Sequence, residues 1–279
     1  MGFALYLVDA FASKTFTGNP AAVVLLQGLR SWPEPSWMQS VAIEMNQSET
    51  AFVLDADPAN TYDLRWFTPV AEVELCGHAT LGSAHALWSH ADADPARPLT
   101  FNTQHHGQLV CQRTPRGEIA MDFPAQHALQ VDPPPGLLDT LGLPPSTKPV
   151  NTAFGPYDWL IELPHPQAVR QATPDFSALA RFDCRGVALT SSNPSNGNNP
   201  GIVSRFFAPR LRISEDPVTG SLHCVLAPYW SARLGQTLCC EQASTRGGRL
   251  VTRYHPETQR VTLVGRALTT VQGMLTAEP

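Results

Sequence analysis

A chain of 279 residues fits one large domain or two of ordinary size, and its apolar share of 43% is enough for sizeable cores. The net charge of -5, with no run of basic residues, argues against nucleic acid or an anionic membrane surface as the main partner. With 26 prolines scattered among short apolar runs, the pattern favours strands and turns over long helices.

Residues 3–11 read as a strand that is apolar on both faces, as do residues 21–26, with the turn Thr17-Gly18-Asn19-Pro20 between them. Trp37, Val41 and Met45 recur every fourth residue with Met38 and Ala42 alongside, predicting an amphipathic helix that Asn46 ends. Ser48-Glu49 then lead into a strand over 50–54, and 62–67 reads as another. From Gly77 the sequence is helical, and Ala79, Leu81, Gly82, Ala84, Ala86 and Leu87 are small or apolar nearly all round. Such a helix is expected to be enclosed on every side, for instance by a sheet curled into a partial barrel. Residues 109–113 and 118–123 form a hairpin around Thr114-Pro115-Arg116-Gly117.

The stretch 124–136, which contains Pro133-Pro134-Pro135, is the expected linker. A strand follows at 159–163, and Thr173-Pro174-Asp175 reads as a helix start with Thr173 as the cap. Strands at 186–190 and 202–207 flank residues 191–201, whose Asn, Ser, Gly and Pro content marks a surface loop of mobile composition. A helix over 221–234, ended by Gly235, precedes strands near 237–242, 249–254 and 260–264. Residues 267–275 are expected to cross back and complete the first domain's sheet.

One pattern occurs twice. Arg65-Trp66-Phe67-Thr68-Pro69 leads through Leu75-Cys76-Gly77-His78-Ala79-Thr80 to Trp88. Arg205-Phe206-Phe207-Ala208-Pro209 leads through Glu215-Asp216-Pro217-Val218-Thr219-Gly220-Ser221 to Trp230. The offsets are 140 to 143 residues (65 to 205, 77 to 220, 88 to 230), and both copies read as strand, glycine turn, helix start. A duplicated unit of this kind predicts two similar domains, each with free N–H groups at a helix N-terminus. If the domains face each other, those ends suit a shared anionic ligand.

Each candidate residue has a structural and a functional reading. In Asp216-Pro217-Val218-Thr219-Gly220-Ser221, Asp216 is placed to cap the helix, Pro217 suits its first turn, and Gly220 admits a ligand to the backbone. The motif is either a well-capped helix or an anion site, and the matching glycine turn in the other half favours the second. His78 at the first helix start is either an anion donor or a hydrogen-bonded structural residue. Cys76, beside a helix N-terminus, is either a thiol of lowered pKa or a small buried hydrophobe. Glu49 is either a solvated junction residue or an acid/base, and Gly18-Asn19-Pro20 is a turn first and a ligand contact second.

The six cysteines form no Cys-x-x-Cys pair, and no zinc spacing appears with the nine histidines, so reduced thiols and no metal are expected. Phosphate-loop, dinucleotide and hydrolase-elbow motifs do not occur. Without a basic leader, or an apolar stretch near the ~18 residues that span a bilayer, the expectation is a soluble cytoplasmic protein.

Five motifs together resemble the PhzF family, the phenazine-biosynthesis-like isomerases of the diaminopimelate epimerase fold. They are Phe16-Thr17-Gly18-Asn19-Pro20-Ala21-Ala22-Val23, Met45-Asn46-Gln47-Ser48-Glu49-Thr50-Ala51-Phe52, and the Arg65, Leu75 and Glu215 motifs above. The last, with Leu226-Ala227-Pro228-Tyr229-Trp230, is similar to the branch that includes the mammalian PBLD-type proteins. The resemblance runs over about residues 3–275. It implies an α+β fold of two similar domains, each a curved, mostly antiparallel sheet (an open barrel) around a central helix. The first lobe spans 1–120 and is completed by 266–279; the second spans 121–265.

The resemblance also implies a homodimer, no cofactor, and isomerisation of a small carboxylate-bearing substrate by proton transfer. Glu49 is then the acid/base, and His78, Asp216 and Ser221 assist in binding or proton relay. Asn19, Gly77, Thr219 and Gly220 join Ser221 as substrate-binding candidates, with Cys76 auxiliary. A Glu desolvated between domains could have the raised pKa that protonating carbon requires. Amino-acid epimerases of this fold use two cysteines, one at each helix start. Because the second turn here lacks a thiol, a symmetric two-thiol racemase is not expected. The other readings are an epimerase of another kind and a metabolite-binding protein without catalysis.

Overall fold

The computed structural model describes residues 2–91, 93–193 and 201–279. Within the expected loop at 191–201, Ser191 and Ser192 prolong one strand and Gly201 starts the next, while 194–200 lie outside the described residues. The chain divides into two units, residues 1–122 with 264–279, and residues 123–263.

The first unit contains β1 (Phe3–Ala10), β2 (Asn19–Leu25), α1 (Pro35–Met45), β3 (Glu49–Ala56), β4 (Thr61–Phe67), β5 (Glu72–Val73), α2 (Gly77–His90), β6 (Leu99–Asn102), β7 (Gln108–Arg113) and most of β8 (Ile119–Pro124). β1 pairs antiparallel with β2, β2 parallel with β3, β3 antiparallel with β4, and β4 parallel with β6. A parallel pair needs a crossover, and α1 and α2 supply the two. β2 is buried on both faces because each face carries a helix. Val24, Phe52 and Phe67 pack with Met38, Val41 and Ala42 of α1. Val8 and Val23 lie against Gly82 of α2, where an added Cβ would sit 3.6 Å from both. The helix therefore rests close on the sheet, which fits its burial nearly all round.

At the turn before β2, Gly18 adopts φ 74°, and a Cβ there would lie 2.2 Å from the Ala10 carbonyl oxygen, so only glycine fits. Asn46 ends α1 in the left-handed conformation, φ 48°, as its position predicts.

The second unit runs through β9 (Leu129–Gln130), β10 (Asn151–Phe154), β11 (Asp158–Glu162), α3 (Pro166–Gln171), α4 (Phe176–Leu179), β12 (Gly186–Ser192), β13 (Gly201–Phe207), α5 (Gly220–Leu234), β14 (Thr237–Gln242), β15 (Gly248–His255) and most of β16 (Arg260–Gly265). Its pairing repeats that of the first: β10 antiparallel to β11, β11 parallel to β12, β12 antiparallel to β13, β13 parallel to β14 across α5. The crossover between β11 and β12 is made of α3 and α4, whose Ala168, Val169 and Leu179 pack on Ile161, Val187 and Phe207. The last strand, β17 (Ala267–Leu275), pairs antiparallel with β1 and so returns the chain to the first unit's sheet.

Three local expectations change. The helix start near Thr173 lies two residues on: Asp175 is the cap of α4 and accepts from the N–H groups of Ser177 and Ala178. Pro174 bars its preceding residue from helical geometry, which is why Thr173 stays outside. The stretch 124–136 is no loose linker. Ala125 N–H donates to Gln259 O, Gln126 N–H to Cys224 O, and β9 pairs with β10. Asp216 does not cap α5; Thr219 occupies that place, and Pro217 lies before the first turn. Among the described residues, no helix is long and apolar enough to cross a membrane.

Candidate active site

In the first unit, β3 begins with Glu49, which lies opposite Ala21 in the parallel pairing with β2. Just ahead of it, Ser48 Oγ donates to Asn19 Oδ1 at 3.2 Å, and Asn19 is fully buried at the start of β2. Strand register and this hydrogen bond together fix where the Glu49 side chain begins.

Across from it stands the start of α2. Cys76 is the cap residue, extended at φ -142°, and no side chain caps the helix. The cap carbonyl is doubly used: Thr80 donates to it through its backbone N–H at 3.1 Å and through Oγ1 at 2.7 Å. His78, in the first turn, bridges two groups. Its Nε2 is 3.1 Å from Glu49 Oε2, and its Nδ1 is 3.4 Å from Cys76 Sγ. Glu49 is half-buried, with its side chain 15% exposed, whereas Cys76 and His78 are buried. Among the described residues, Glu49 Oε2 is enclosed and makes no directed hydrogen bond, its near polar neighbour being His78 Nε2.

Burial disfavours a charged imidazole, yet the fields of Cys76 and Glu49 and the close approach of both push His78 well above the usual histidine range. The Cys76 thiol is also raised, by burial and then by the Glu49 charge, which outweigh the lowering effect of His78. Of the two readings of Cys76, this matches the small buried residue and not the thiol of lowered pKa: proximity to a helix N-terminus is a smaller effect than loss of water beside a carboxylate. The cluster is thus a buried relay in which one imidazole can exchange protons with a carboxylate and a thiol. The carboxylate oxygen, thiol sulfur and imidazole nitrogen all lie within 4.8 Å of one another, so the same three residues are the candidate metal donors.

The second unit carries the other candidates. Thr219 is the cap of α5 at φ -109°, again with no side-chain cap. The His223 N–H and Nδ1 both approach the Thr219 carbonyl, at 3.4 and 2.8 Å, so His223 repeats what Thr80 does in the first unit. By this match Thr219 stands where Cys76 does, Gly220 where Gly77 does, and Ser221 where His78 does. Asp216 accepts the Thr219 hydroxyl at Oδ2, and its own N–H donates to Phe206 O. The turn is held by Gln242, which donates to Asp216 O at 2.8 Å and accepts from Thr219 N–H at 2.9 Å. The repeated arginines have matching roles: Arg65 grips Glu72 and Arg205 grips Glu215, each with Nε 2.6 Å from the carboxylate. Each guanidinium also lies over the Phe two residues on, Phe67 or Phe207.

Gln242 and Ser48 were not singled out from the sequence. Gln242 had a signal: it follows Leu238 and Cys240 on the inward phase of β14, where an amide side chain has to be satisfied. Ser48 had none, since its partner Asn19 is brought to it only by the parallel pairing of β2 and β3.

The model of the PhzC-PhzF family, phenazine biosynthesis-like protein, matches residues 8–273. An uncharacterised isomerase of Halalkalibacterium halodurans is 42% identical, with 97% of each chain covered. A phenazine biosynthesis-like domain-containing protein of Rattus norvegicus is 35% identical over 99% of this chain and 100% of its own. Among solved structures, a phenazine biosynthesis protein of the PhzF family from Enterococcus faecalis aligns with a TM-score of 0.88 and 39% identity, covering 99% of this chain and 100% of that one. A hydroxyproline epimerase from Agrobacterium vitis, at 11% identity, shares the fold with a TM-score of 0.62, covering 100% of this chain and 94% of that one. The fold is therefore the α+β, epimerase-like one.

Proposed function

The chain belongs to the PhzC-PhzF family, and on that premise we propose that it is an isomerase that moves a proton on a small carboxylate-bearing metabolite, with Glu49 as the group that takes up and returns the proton. One observation carries the reading: the enclosed Glu49 Oε2 has no directed hydrogen bond of its own and stands 3.1 Å from His78 at an uncapped helix start. The Glu49 side chain as a whole keeps 15% of its surface exposed, through which the carboxyl group can meet a carbon acid, and His78 can answer the change in its charge. Within each unit, the free N–H groups at the helix start, at Gly77 in the first and at Gly220 and Ser221 in the second, suit an anionic group such as a carboxylate. Asp216 and Thr219, already hydrogen-bonded, serve as a relay, while Asn19 is a positioning residue that acts through Ser48 on Glu49. A symmetric thiol racemase is disfavoured because Thr219 stands where a second cysteine would be needed.

Glu49→Gln keeps the shape of the side chain and removes its proton chemistry. Solvent deuterium incorporation into a panel of small unsaturated carboxylic acids, followed by NMR, measures the step directly. For any acid that the wild type exchanges, the variant is expected to lose on the order of 10²- to 10⁴-fold in rate. Exchange at the wild-type rate in the variant would end the proposal.

A further inference from the structure

We infer that Glu49, Cys76 and His78 form a three-donor site for a borderline-soft divalent cation of the zinc type, an inference that stands independently of the isomerase reading. The donors are one oxygen, one sulfur and one nitrogen, a set that suits zinc, cobalt or cadmium and not magnesium or calcium. Tetrahedral zinc, with bonds of about 2.3 Å to sulfur and about 2.0 Å to nitrogen and oxygen, spaces its ligand atoms about 3.3–3.6 Å apart. His78 Nε2 is 3.1 Å from Glu49 Oε2 and 4.0 Å from Cys76 Sγ. The third edge, from Cys76 Sγ to the Glu49 carboxylate, lies within 4.8 Å, so closing the triangle around an ion takes side-chain movements of up to about 1 Å.

Two further features favour coordination. Cys76 and His78 sit on one helix turn and Glu49 opens a strand fixed by its neighbour, so the donors are organised before any ion arrives. The enclosed Glu49 Oε2 has an unused lone pair, which an ion would satisfy. With three protein ligands, the fourth position stays open to water or an anion. Binding requires a thiolate and a bare imidazole nitrogen, so the cation enters as protons leave, and affinity rises with pH. Its donors are spread over a strand start and a helix turn, which is why no zinc spacing is visible in the sequence. A bound ion would also occupy the Glu49 carboxylate, making the metal an inhibitor of any proton transfer there.

The test is a cobalt(II) titration of the full-length, reduced, chelator-treated protein without oxygen. The expected result is one equivalent bound, with a thiolate-to-cobalt charge-transfer band and the visible spectrum of tetrahedral cobalt, displaced by zinc. Cys76→Ser is expected to abolish the charge-transfer band, and Glu49→Gln and His78→Asn to weaken binding by on the order of 10- to 100-fold or more. Replacing Cys239 and Cys240 together should leave the band intact. Retention of the band in Cys76→Ser, a six-coordinate spectrum without it, or half-saturation only above about 1 mM would overturn the inference. If Cys76→Ser does not fold, the Glu49 and His78 variants carry the same test. Because the readout is spectroscopic, a failed metal site and a failed isomerase are told apart: deuterium exchange reports only on the second.

Discussion

His78 and His223 both lie in the first turns of a buried helix, and their surroundings drive them in opposite directions. His78 faces a carboxylate and a thiol and is raised well above the usual range despite its burial. Among the described residues, His223 meets the Thr219 carbonyl through Nδ1 and has no partner at Nε2, and burial drives it down to about 4. Below its ordinary value of about 6.5 the unfolded chain takes up a proton that folded His223 refuses. Stability is therefore lost as pH falls from about 6.5 to about 4. His85, lowered to about 4 by burial and then by His90 and Arg113, adds to the same limb. The stability that His78 contributes is complete below about 6.5 and is lost as pH rises through its raised value. His223→Thr borrows the residue that the first unit uses at the matching place, where Thr80 Oγ1 donates to the cap carbonyl. We predict that the variant, whatever its cost at pH 7, loses less on acidification, the difference being on the order of 3 kcal/mol between pH 7 and pH 4. Urea midpoints at the two pH values measure it, and an unchanged pH dependence would assign the acid limb to other groups.

The element that holds the second candidate turn is β14, through the single side chain of Gln242. It is fully buried and satisfies the Thr219 N–H, the Thr219 hydroxyl and the Asp216 carbonyl. Gln242→Leu has similar volume but would strand those groups, so a loss of about 2–4 kcal/mol is expected from the unpaired buried polar atoms. Gln242→Glu, which keeps the acceptor for Thr219 N–H, should lose less. If the leucine variant melts at the wild-type temperature, the turn is held by something other than this amide. Most elements were legible in the sequence because their signals are local: the four-residue recurrence of Trp37, Val41 and Met45, Asn46 as a left-handed cap, Gly235 at the end of α5. The duplication was legible from Arg65, Gly77 and Trp88 against their counterparts. What stayed hidden depends on distant pairing. Thr219, the cap of α5, has its N–H held by Gln242 of β14, and the Cys76 thiol is raised first by burial and then by Glu49, which β3 delivers beside it. Neither partner is near in sequence, so local cap and helix-end rules misread both.

At the scale of the molecule, the two units are made differently from the chain. The second, residues 123–263, is one continuous segment with its own apolar cluster of Ile161, Val187, Leu189, Val203 and Phe207. The first needs both ends of the polypeptide: β1 is flanked by β2 on one side and β17 on the other, with β17 paired from Phe3 opposite Leu275 to Ala10 opposite Ala267. Thr270 Oγ1 adds a bond to Leu7 O, and Thr269 Oγ1 lies 3.0 Å from His85 Nε2 and 2.8 Å from His90 Nε2, tying β17 to α2 as well. Removing residues 267–279 would turn β1 into an edge and release that hold on the helix bearing Cys76 and His78. At roughly 1 kcal/mol per ladder hydrogen bond, the loss is on the order of 5 kcal/mol, a large part of an ordinary domain's stability. Hydrogen exchange on the truncated chain is therefore predicted to lose protection in β1, β2 and α2, while β12 and β13 keep theirs. Persistent protection in β1 and α2 would make β17 dispensable to the first unit. Equal loss in β12 and β13 would mean that the units unfold together, and the separation drawn from the chain's connectivity would not extend to its stability.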